Sequence, residues 1–467
     1  MNNFDKLRQL YNGQDEFRLR EMDCGVPLKV VCLDTMCDDS KVSSFVLQPL
    51  AYVNDATSIA DVERRLAVGA GVKRPPNFFA AVEDFSNGYT LVFCKGDCVS
   101  VDTRTAVGRA IAEPPTSMVM RGPREGFVED AKVNLTLLRK RLKTPNLKTI
   151  NLTVGKYTNT AVMLCYIEGI ADKAVVDTIA QRIEAINIDG VLDSSYLARY
   201  LDVNNTVLFR RVGSTEKPDI AVGKMLEGRV AVIVDGSPMV LTAPYLFVED
   251  MQSPGDYYEN SMMTTLSRVL RFVSVIASVL LPSLYVCLQV YNYQIIPLRF
   301  LITILNASQA IPFSPLTEMI IVLVIFDILR EANLRMPSAV GISLSLVGAI
   351  VLGDAAVQAG LLGAPAVMIG ALSGIGLYTL PDNTLILSLL RLVVTLIGGL
   401  MGLLGVIVAT LALVIYLASL EDYKTPYLAP FAPDIPDDRQ DSLMQKPLPS
   451  LKKRPRSIPN VNDKRRG

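Results

Sequence analysis

The pattern of apolar and polar positions divides the 467-residue chain into two parts. Before about Ser267, short β-rich apolar runs alternate with segments of helical periodicity. Long apolar runs dominate the sequence from there to about residue 422, and one of them, 272–291, is uncharged and about as long as one bilayer crossing. The pattern therefore predicts an α/β soluble N-terminal region followed by an all-α polytopic membrane domain.

Two stretches of the N-terminal part share one layout. GYTLVFCKGDCVSV and GRVAVIVDGSPMVL each contain a strand, a turn with glycine and a second strand, and the expected hairpin turns are Lys95-Gly96 and Asp235-Gly236. A further apolar strand lies upstream of each stretch, LKVVCLD in the first case and TAVMLCYIEG in the second. This repetition predicts two related α/β subdomains.

Acidic residues lie within the apolar runs of the C-terminal part. Glu318 and Asp327 belong to the run 316–330, and Asp354 lies well inside the run 338–360. A charged side chain at the centre of a bilayer helix costs about 2.5–3.5 kcal/mol, so such groups usually face a bundle interior or a water path. The alternative for 316–330 is a short interfacial or buried helix with its charges at the headgroups, because the run is shorter than the roughly 20 residues of a full span.

Residue spacing in this region predicts pairs and a packing face. Arg330 follows Asp327 by three positions and can pair with it inside the membrane domain, whereas Gln358 follows Asp354 by four and shares its face. Small residues also recur at every fourth position, which favours close approach of another helix. This predicted helix-packing set is Gly341, Ser345, Ala349 and Gly353.

The ends of the chain bear on the number of crossings. The N-terminus lacks the apolar core of a secretory signal, and the tail from Lys446 is basic, which places both on the cytoplasmic side. The number of crossings is then even: four is expected, and six results if two weaker segments also cross. Within 385–420, Arg391 is expected to mark an interfacial first portion.

The predicted domains are 1–115, the first subdomain; 116–154, a basic linker; 155–265, the second subdomain; 266–422, the membrane domain; and 423–467, a disordered basic tail.

Composition argues against several chemistries. The chain contains no histidine, which removes imidazole bases and histidine metal ligands, and it has no phosphate-binding loop. Seven cysteines show no disulfide-framework spacing; Cys94 and Cys98 are expected to flank a hairpin, and Cys32 and Cys37 to be structural. Basic residues are not interleaved with aromatics on one face, as nucleic-acid binding would favour. We therefore expect no enzymatic activity, no metal, no cofactor and no nucleic-acid partner.

Several motifs in a fixed order resemble a known family. They are CYIEGIAD, IDGVLDSSYL, EKPD, MLEGRVAVIVDGSP, QSPGDYY, PFSPLTEMIIVLVIFDILREANLRMP, VGAIVLGDAAVQAGL, LASLEDYKTPYLAPFAP and RPRSIPN. Together they resemble the A subunits of GerA-type spore germinant receptors over about 157–460, whereas 1–110 match only in general layout.

The resemblance implies a multi-pass protein of the bacterial spore inner membrane. Its implied partners are membrane lipid, a transporter-like B subunit, a lipoprotein C subunit and further copies of itself. The resemblance implies that the copies of this chain assemble into a ring whose membrane helices form a ligand-gated cation channel, which triggers spore germination. The resemblance leaves open an accessory channel of the SpoVAF branch, and a signalling scaffold without conductance is a further alternative. On the channel hypothesis the candidate ion-path residues are Glu318, Asp327, Asp354 and Gln358.

Overall fold

The computed structural model describes residues 2–52, 56, 58–66, 71–105, 121–202, 208–309, 311–335, 348 and 351–465. Contacts divide the chain into two compact units. The first, here called the N-terminal unit, comprises Met1–Tyr245, Asp422–Thr425 and Leu448–Gly467. The second, the helical unit, comprises Leu246–Glu421 and Pro426–Pro447.

The first subdomain of the N-terminal unit is an antiparallel sheet of five strands in the order β1-β2-β4-β5-β3. Its strands are β1 (Phe17–Asp23), β2 (Pro27–Leu33), β3 (Val72–Lys73), β4 (Thr90–Cys94) and β5 (Asp97–Val101). Its longer helices are α1 (Asn3–Leu10), α2 (Ile59–Leu66) and α3 (Phe78–Ser86), and short helical turns cover Asp39–Val42, Ser43–Leu47 and Gln48–Ala51. Separate apolar clusters cover the two faces of the sheet at β2, β4 and β5, whereas the edge strand β1 is largely exposed.

The second subdomain repeats this topology. Its antiparallel sheet has the order β6-β7-β9-β10-β8, in which every strand takes the place of its counterpart in the first sheet. The strands are β6 (Leu147–Val154), β7 (Thr160–Ile167), β8 (Gly213–Thr215), β9 (Val230–Val234) and β10 (Val240–Ala243). The helices are α4 (Ala131–Arg141), α5 (Lys173–Glu184), α6 (Ser194–Leu201) and α7 (Pro218–Leu226). The predicted α/β region of two related subdomains is confirmed.

The two predicted hairpin turns differ. Between β4 and β5, Lys95 and Gly96 both have positive φ, 47° and 103°, and form a two-residue turn. β9 and β10 are joined by a longer connection, so Asp235-Gly236 is not a tight hairpin tip. The Asp235 carboxylate instead accepts the backbone N–H of Ala131, at 3.1 Å, at the start of α4. Instead of forming a two-residue turn, Asp235 thus accepts a hydrogen bond from the start of a neighbouring helix.

The sequence predicts a basic linker over 116–154, but the described part of this segment belongs to the second subdomain. α4 packs on the second sheet, and β6 is an edge strand of that sheet. The EKPD motif fastens the residues before α4, because Lys217 Nζ donates to Pro123 O at 2.8 Å and Glu216 O accepts the Phe127 N–H at 2.7 Å. The first segment of the N-terminal unit ends at Tyr245, so 246–265 belong to the helical unit rather than to the second subdomain.

The C-terminal tail also differs from the disordered segment expected from its composition. Ile458 is buried, and Asn460 forms a β-bridge with Ala171 of the second subdomain. Arg454 Nε donates to Leu226 O at 2.7 Å, at the end of α7. The tail is ordered because a few side chains find specific partners, which composition and charge do not reveal.

Over its described residues, the helical unit contains five longer helices. They are α8 (Ser261–Val290), α9 (Leu298–Ser308), α10 (Pro315–Arg335), α11 (Ala364–Leu377) and α12 (Thr384–Ser419). Among the described residues, two helical stretches are both long and apolar enough to cross a membrane, Ser261–Val290 and Pro381–Ser419. Pro282 lies inside α8 and is buried there.

Gly402 divides α12 into two arms. Its φ of 65° and ψ of −154° are not helical, and this backbone region is essentially restricted to glycine. A Cβ on Gly405 would lie 2.9 Å from Ile397 O, although eight residues of straight helix span about 12 Å. The second arm therefore folds back beside the first. Residues 384–401 and 403–419 are each about 25–27 Å long, close to the roughly 30 Å of a bilayer core.

Hydrogen bonds fix the directions of the helices. Ser283 Oγ donates to Val394 O at 2.8 Å, and Tyr291 Oη donates to Leu400 O at 2.9 Å, so the first arm of α12 runs parallel to α8. Ser373 Oγ donates to Ser278 O at 2.6 Å, and a Cβ on Gly376 would meet Ser274 O, so α11 runs antiparallel to α8.

α10 is also antiparallel to α8, because its start contacts Gly399 and its end contacts Thr384. α10 and α11 therefore run in the same direction, opposite to α8 and to the first arm of α12. The expected number of crossings, four or six, stays a prediction.

Candidate site in the helical unit

A buried cluster of charged and polar side chains connects three helices. Asp327 of α10 contacts Arg391 of α12, with Oδ1 2.9 Å from Arg391 Nη2. The hydroxyl of Ser388 donates to the other oxygen of the same carboxylate. Arg391 Nη1 also donates to Ser373 Oγ of α11 at 3.1 Å. α10, α11 and α12 are thus joined through one guanidinium group.

A second arginine shares the same carboxylate. Arg330 Nη1 lies 3.3 Å from Asp327 Oδ1, as the three-residue spacing predicted, and 3.5 Å from Thr384 O. The Arg391 side chain is fully buried, and that of Arg330 is 9% exposed. Arg391 is therefore packed against the carboxylate of α10, and its expected position at a membrane interface stays a prediction.

The cluster carries more positive than negative charge. Two arginines share one described carboxylate, and the Nε atoms of both arginines are buried with no hydrogen-bond partner among the described residues. Burial of a charge that is incompletely paired costs several kcal/mol. A cation that approached Asp327 would also meet two guanidinium groups, so the geometry argues against Asp327 as a cation ligand.

Glu318 lies near the opposite end of the unit and has a capping role. Its side chain is buried, and Oε1 accepts the backbone N–H of Gly363 at 2.6 Å. Gly363 immediately precedes α11, so the carboxylate occupies the N-terminal end of a helix, where the macrodipole favours a negative charge. The lack of a side chain at Gly363 permits this approach, because a Cβ there would lie 2.9 Å from the same oxygen.

Asp354 and Gln358 are separate from both of these sites. Both side chains are exposed, and the Gln358 amide donates to the Asp354 carboxylate. No described lysine or arginine forms an ion pair with Asp354. Gly353 is exposed, and a Cβ there would meet nothing within 4 Å. The other three members of the predicted packing set, Gly341, Ser345 and Ala349, lie outside the described residues.

A further ion network lies at the start of α8. Arg271 donates through two nitrogens to the two oxygens of Asp256, each at 2.8 Å, and Arg268 contacts Asp256 and Asp441, each at 3.0 Å. Burial raises the pKa of Asp256, but the hydrogen bonds from Arg271, Ser253 N–H and Arg268 outweigh it and hold that pKa below its ordinary value. The QSPGDYY motif thus supplies an acid that anchors the beginning of the helix.

The N-terminal unit contains a buried ion pair between its subdomains. Arg139 of α4 donates from Nε and Nη2 to the two oxygens of Glu16, both at 2.8 Å. The hydroxyls of Thr35 and Thr149 also donate to this carboxylate, at 2.5 and 2.8 Å. Burial raises the pKa of Glu16, but the charge and hydrogen bonds of Arg139 and both threonines leave it below its ordinary value.

The sequence marked Glu318, Asp327 and Asp354, but it did not reveal Arg391 and Ser388 as the partners of Asp327. The position of Arg391 could have indicated an ion pair, because an arginine seven residues inside a helix as apolar as α12 needs an acid from another helix. The partner could not be chosen without the helix directions. Within the described ranges, no group of three or more Cys, Asp or Glu residues is placed to hold a metal ion.

Comparison with known proteins gives consistent results. Residues 5–457 match the family model described as the Bacillus/Clostridium GerA spore germination protein. The chain is 34% identical to spore germination protein KA of Bacillus subtilis (strain 168), over 100% of this chain and 88% of that protein. It is 29% identical to spore germination protein B1 of the same organism, over 100% of this chain and 98% of that protein.

Among solved structures, the N-terminal domain of the A subunit of the Bacillus megaterium spore germinant receptor GerK3 matches 52% of this chain and 94% of its own length. The identity is 26% and the TM-score is 0.41.

Proposed function

The chain belongs to the GerA family of spore germination proteins, and on that premise we propose that it is the A subunit of a nutrient germinant receptor. In this proposal, copies of the chain assemble in the spore inner membrane and form a cation channel that opens when germinant binds. The N-terminal unit and the C-terminal tail lie on the cytoplasmic side, facing the spore core.

The arrangement of the helical unit supports the membrane assignment. Two of its helical stretches are long and apolar enough to cross a bilayer. An even number of crossings would return the chain to the side from which it entered, as a basic tail and an N-terminal unit on the same side require. Because Asp422–Thr425 and the tail both belong to the N-terminal unit, the chain rejoins that unit after α12.

The observation that carries the channel proposal is the exposed Asp354–Gln358 pair, which lies within the apolar run 338–360. An intramembrane carboxylate is costly in contact with lipid, so this face requires water or another protein chain. Asp327 is occupied by two arginines, and Glu318 caps α11, whereas Asp354 accepts only an uncharged amide among its described partners. Asp354 is therefore our candidate for attracting cations along the path.

The remaining parts of the receptor are assigned to other chains. We propose a transporter-like B subunit and a lipoprotein C subunit as partners, with nutrient recognition mainly on the B subunit. The A subunit performs no chemical catalysis in this proposal, in agreement with a sequence that contains no histidine.

Ion flux through the purified full-length protein in liposomes tests the function. With its B-type partner and germinant present, we expect release of trapped K⁺ but not of a trapped anion, and chemical crosslinking should give species larger than the monomer. Flux without partner or germinant would favour an accessory channel instead. A folded, strictly monomeric protein with no flux under either condition would contradict the channel and leave a scaffold.

A further inference from the structure

The outer face of α6, in the second subdomain, is aromatic and exposed. The inner face of this helix is buried, with Leu197 and Leu201 in an apolar cluster of that subdomain. The exposed residues of the helix are Ser195, Tyr196, Arg199 and Tyr200. Leu192, two residues before the helix, is 69% exposed. Because Tyr196 and Tyr200 are four positions apart, α6 presents two phenol rings on one side, and no acid is among its exposed residues.

The duplicated topology provides an internal comparison for this face. α2 of the first subdomain precedes β3 as α6 precedes β8 in the second. When the two helices are aligned on their buried residues, Asp61 takes the position of Tyr196. Arg65 likewise takes the position of Tyr200. The fold therefore does not require aromatic residues at these positions, and their presence in α6 indicates a contact outside the subdomain.

The last turn of α6 is attached to the segment that leaves α12. Tyr423 Oη donates to Leu201 O at 2.9 Å, and Arg182 Nη1 donates to the same oxygen at 2.9 Å. Arg182 also pairs with Asp422 at 3.1 Å, and its guanidinium carbon lies 4.2 Å from the centre of the Tyr423 ring. α12 ends at Ser419, four residues before Tyr423. The chain that leaves α12 therefore binds the end of α6 almost at once.

This attachment limits the distance between α6 and the bilayer. Four residues of fully extended chain reach at most about 14 Å. In the proposed topology, α12 ends at the membrane surface on the side of the N-terminal unit. The segment that holds the end of α6 must then lie close to that surface, whatever the orientation of the rest of the unit. The bilayer is thus the partner that the connectivity brings within reach of this face.

We propose that the outer face of α6 binds the headgroup region of the membrane, with Tyr196 and Tyr200 at the interface and Arg199 on the phosphate of an anionic phospholipid. The inference rests on the proposed membrane placement of the helical unit. Tyrosine suits this region because its ring is apolar and its hydroxyl stays hydrated. Arg199 is three positions after Tyr196, on the same side, and a guanidinium group can donate to two phosphate oxygens at once.

Single tryptophans test this contact, because the chain contains no tryptophan of its own. The full-length protein is reconstituted in vesicles of phosphatidylcholine and phosphatidylglycerol brominated near the headgroup, since bromine quenches the fluorescence of a nearby indole. We expect the emission of Tyr196→Trp and Tyr200→Trp to fall at least about twofold relative to unbrominated vesicles, because an interfacial helix lies about 5–10 Å deep at this boundary.

Phe79→Trp is the matched control, because it replaces another exposed aromatic residue, in α3 of the first subdomain. Its emission should be quenched by acrylamide in the water and unchanged by bromine. Bromine quenching of Phe79→Trp equal to that of the α6 variants would overturn the assignment of the contact to α6. Tryptophans in α6 that are shielded from acrylamide but not quenched by bromine would show another protein chain on this face, which also overturns it.

A variant of α12 separates this inference from the proposed function. Ile415→Trp, at an exposed position of the second arm, should be quenched by lipids brominated along their acyl chains. Quenching there, without quenching of Tyr196→Trp and Tyr200→Trp, would overturn only the binding of α6 to the membrane. No quenching of Ile415→Trp would overturn the membrane placement of the helical unit and this inference with it.

Removal of a charge tests the class of lipid. In Tyr200→Trp we expect stronger quenching when phosphatidylglycerol is present than in phosphatidylcholine alone, and high salt should remove the difference. Adding Arg199→Gln should abolish the difference, whereas adding Arg141→Gln should preserve it, because Arg141 already pairs with Glu125. An undiminished difference in the Arg199→Gln protein would overturn the assignment of anionic lipid to Arg199.

Discussion

Each unit of the protein contains a buried arginine that ties separate segments together, and the two arginines differ in how their charge is balanced. Arg139 of the N-terminal unit faces the single acid Glu16, which also accepts two threonine hydroxyls. Arg391 of the helical unit shares Asp327 with a second arginine, Arg330. One site is a balanced pair, and the other has two positive charges for one described acid.

This difference in charge balance indicates different roles for the two buried ion pairs. A balanced and fully hydrogen-bonded pair fixes one arrangement, because loss of either member leaves an uncompensated buried charge. An unbalanced cluster stores unfavourable charge, so a small change in helix position or in surrounding charge can alter its contacts. We therefore interpret Glu16–Arg139 as a permanent joint and Asp327–Arg391 as a contact capable of rearrangement.

The largest loss of stability is expected from a substitution that breaks the balanced pair. Arg139→Met leaves Glu16 buried without its cation and should destabilise the N-terminal unit by about 3–5 kcal/mol. Thermal unfolding of the full-length protein, followed by hydrogen exchange in α4, measures the loss. Arg141→Met is the matched control, because Arg141 lies in the same helix but pairs with a half-exposed Glu125. Exposed pairs contribute about 0–1 kcal/mol, so equal losses in both variants would contradict the joint.

Two variants of the helical unit test the charge imbalance. Asp327→Asn leaves two buried arginines without an acid and should destabilise the unit by about 3–5 kcal/mol. Arg330→Met leaves a one-to-one pair and should be neutral or stabilising. The melting temperature in detergent distinguishes these outcomes. If Arg330→Met destabilises the unit as much as Asp327→Asn does, the cluster is a balanced joint like that of the N-terminal unit.

The backbone at Gly402 provides the next test, because it has no counterpart among the described helices of the N-terminal unit. Gly402→Ala imposes an L side chain on an essentially glycine-only conformation, where strain costs about 1–3 kcal/mol, and its Cβ would lie 3.1 Å from the Tyr291 ring. Gly374→Ala, where a Cβ meets nothing within 4 Å, should be harmless. Equal melting temperatures for the two variants would contradict the fold-back of α12.

Low pH should weaken the balanced pair, with a smaller loss of stability than the substitutions above. Because the pKa of Glu16 is lower in the folded protein, its contribution is present above the ordinary value of 4.5 and is lost as the pH falls through the lowered pKa. We expect the melting temperature of the N-terminal unit to drop in that window, with a shallower drop in Arg139→Met. A drop of the same steepness in Arg139→Met would exclude this pair as its source.

Local patterns predicted much of this fold. Alternating strands such as TLVFC around Lys95-Gly96 gave both sheets, because strand periodicity and turn residues are local properties. The ordered tail and the fold-back at Gly402 were not predicted, since they depend on contacts between distant residues. For the site, the sequence marked Asp327 and Arg330 as a pair but could not identify Arg391, because the facing helix was unknown.

The central claim is that Asp354, rather than the arginine-bound Asp327, attracts cations. Reversal potentials of the reconstituted receptor in a K⁺ gradient test it most directly, with Glu331→Gln as the control, because Glu331 is an exposed acid paired with Arg335 in the same unit. We predict that Asp354→Asn shifts the reversal potential toward loss of cation selectivity, while Glu331→Gln leaves it unchanged. Unaltered selectivity in a folded, assembled Asp354→Asn protein would contradict the claim.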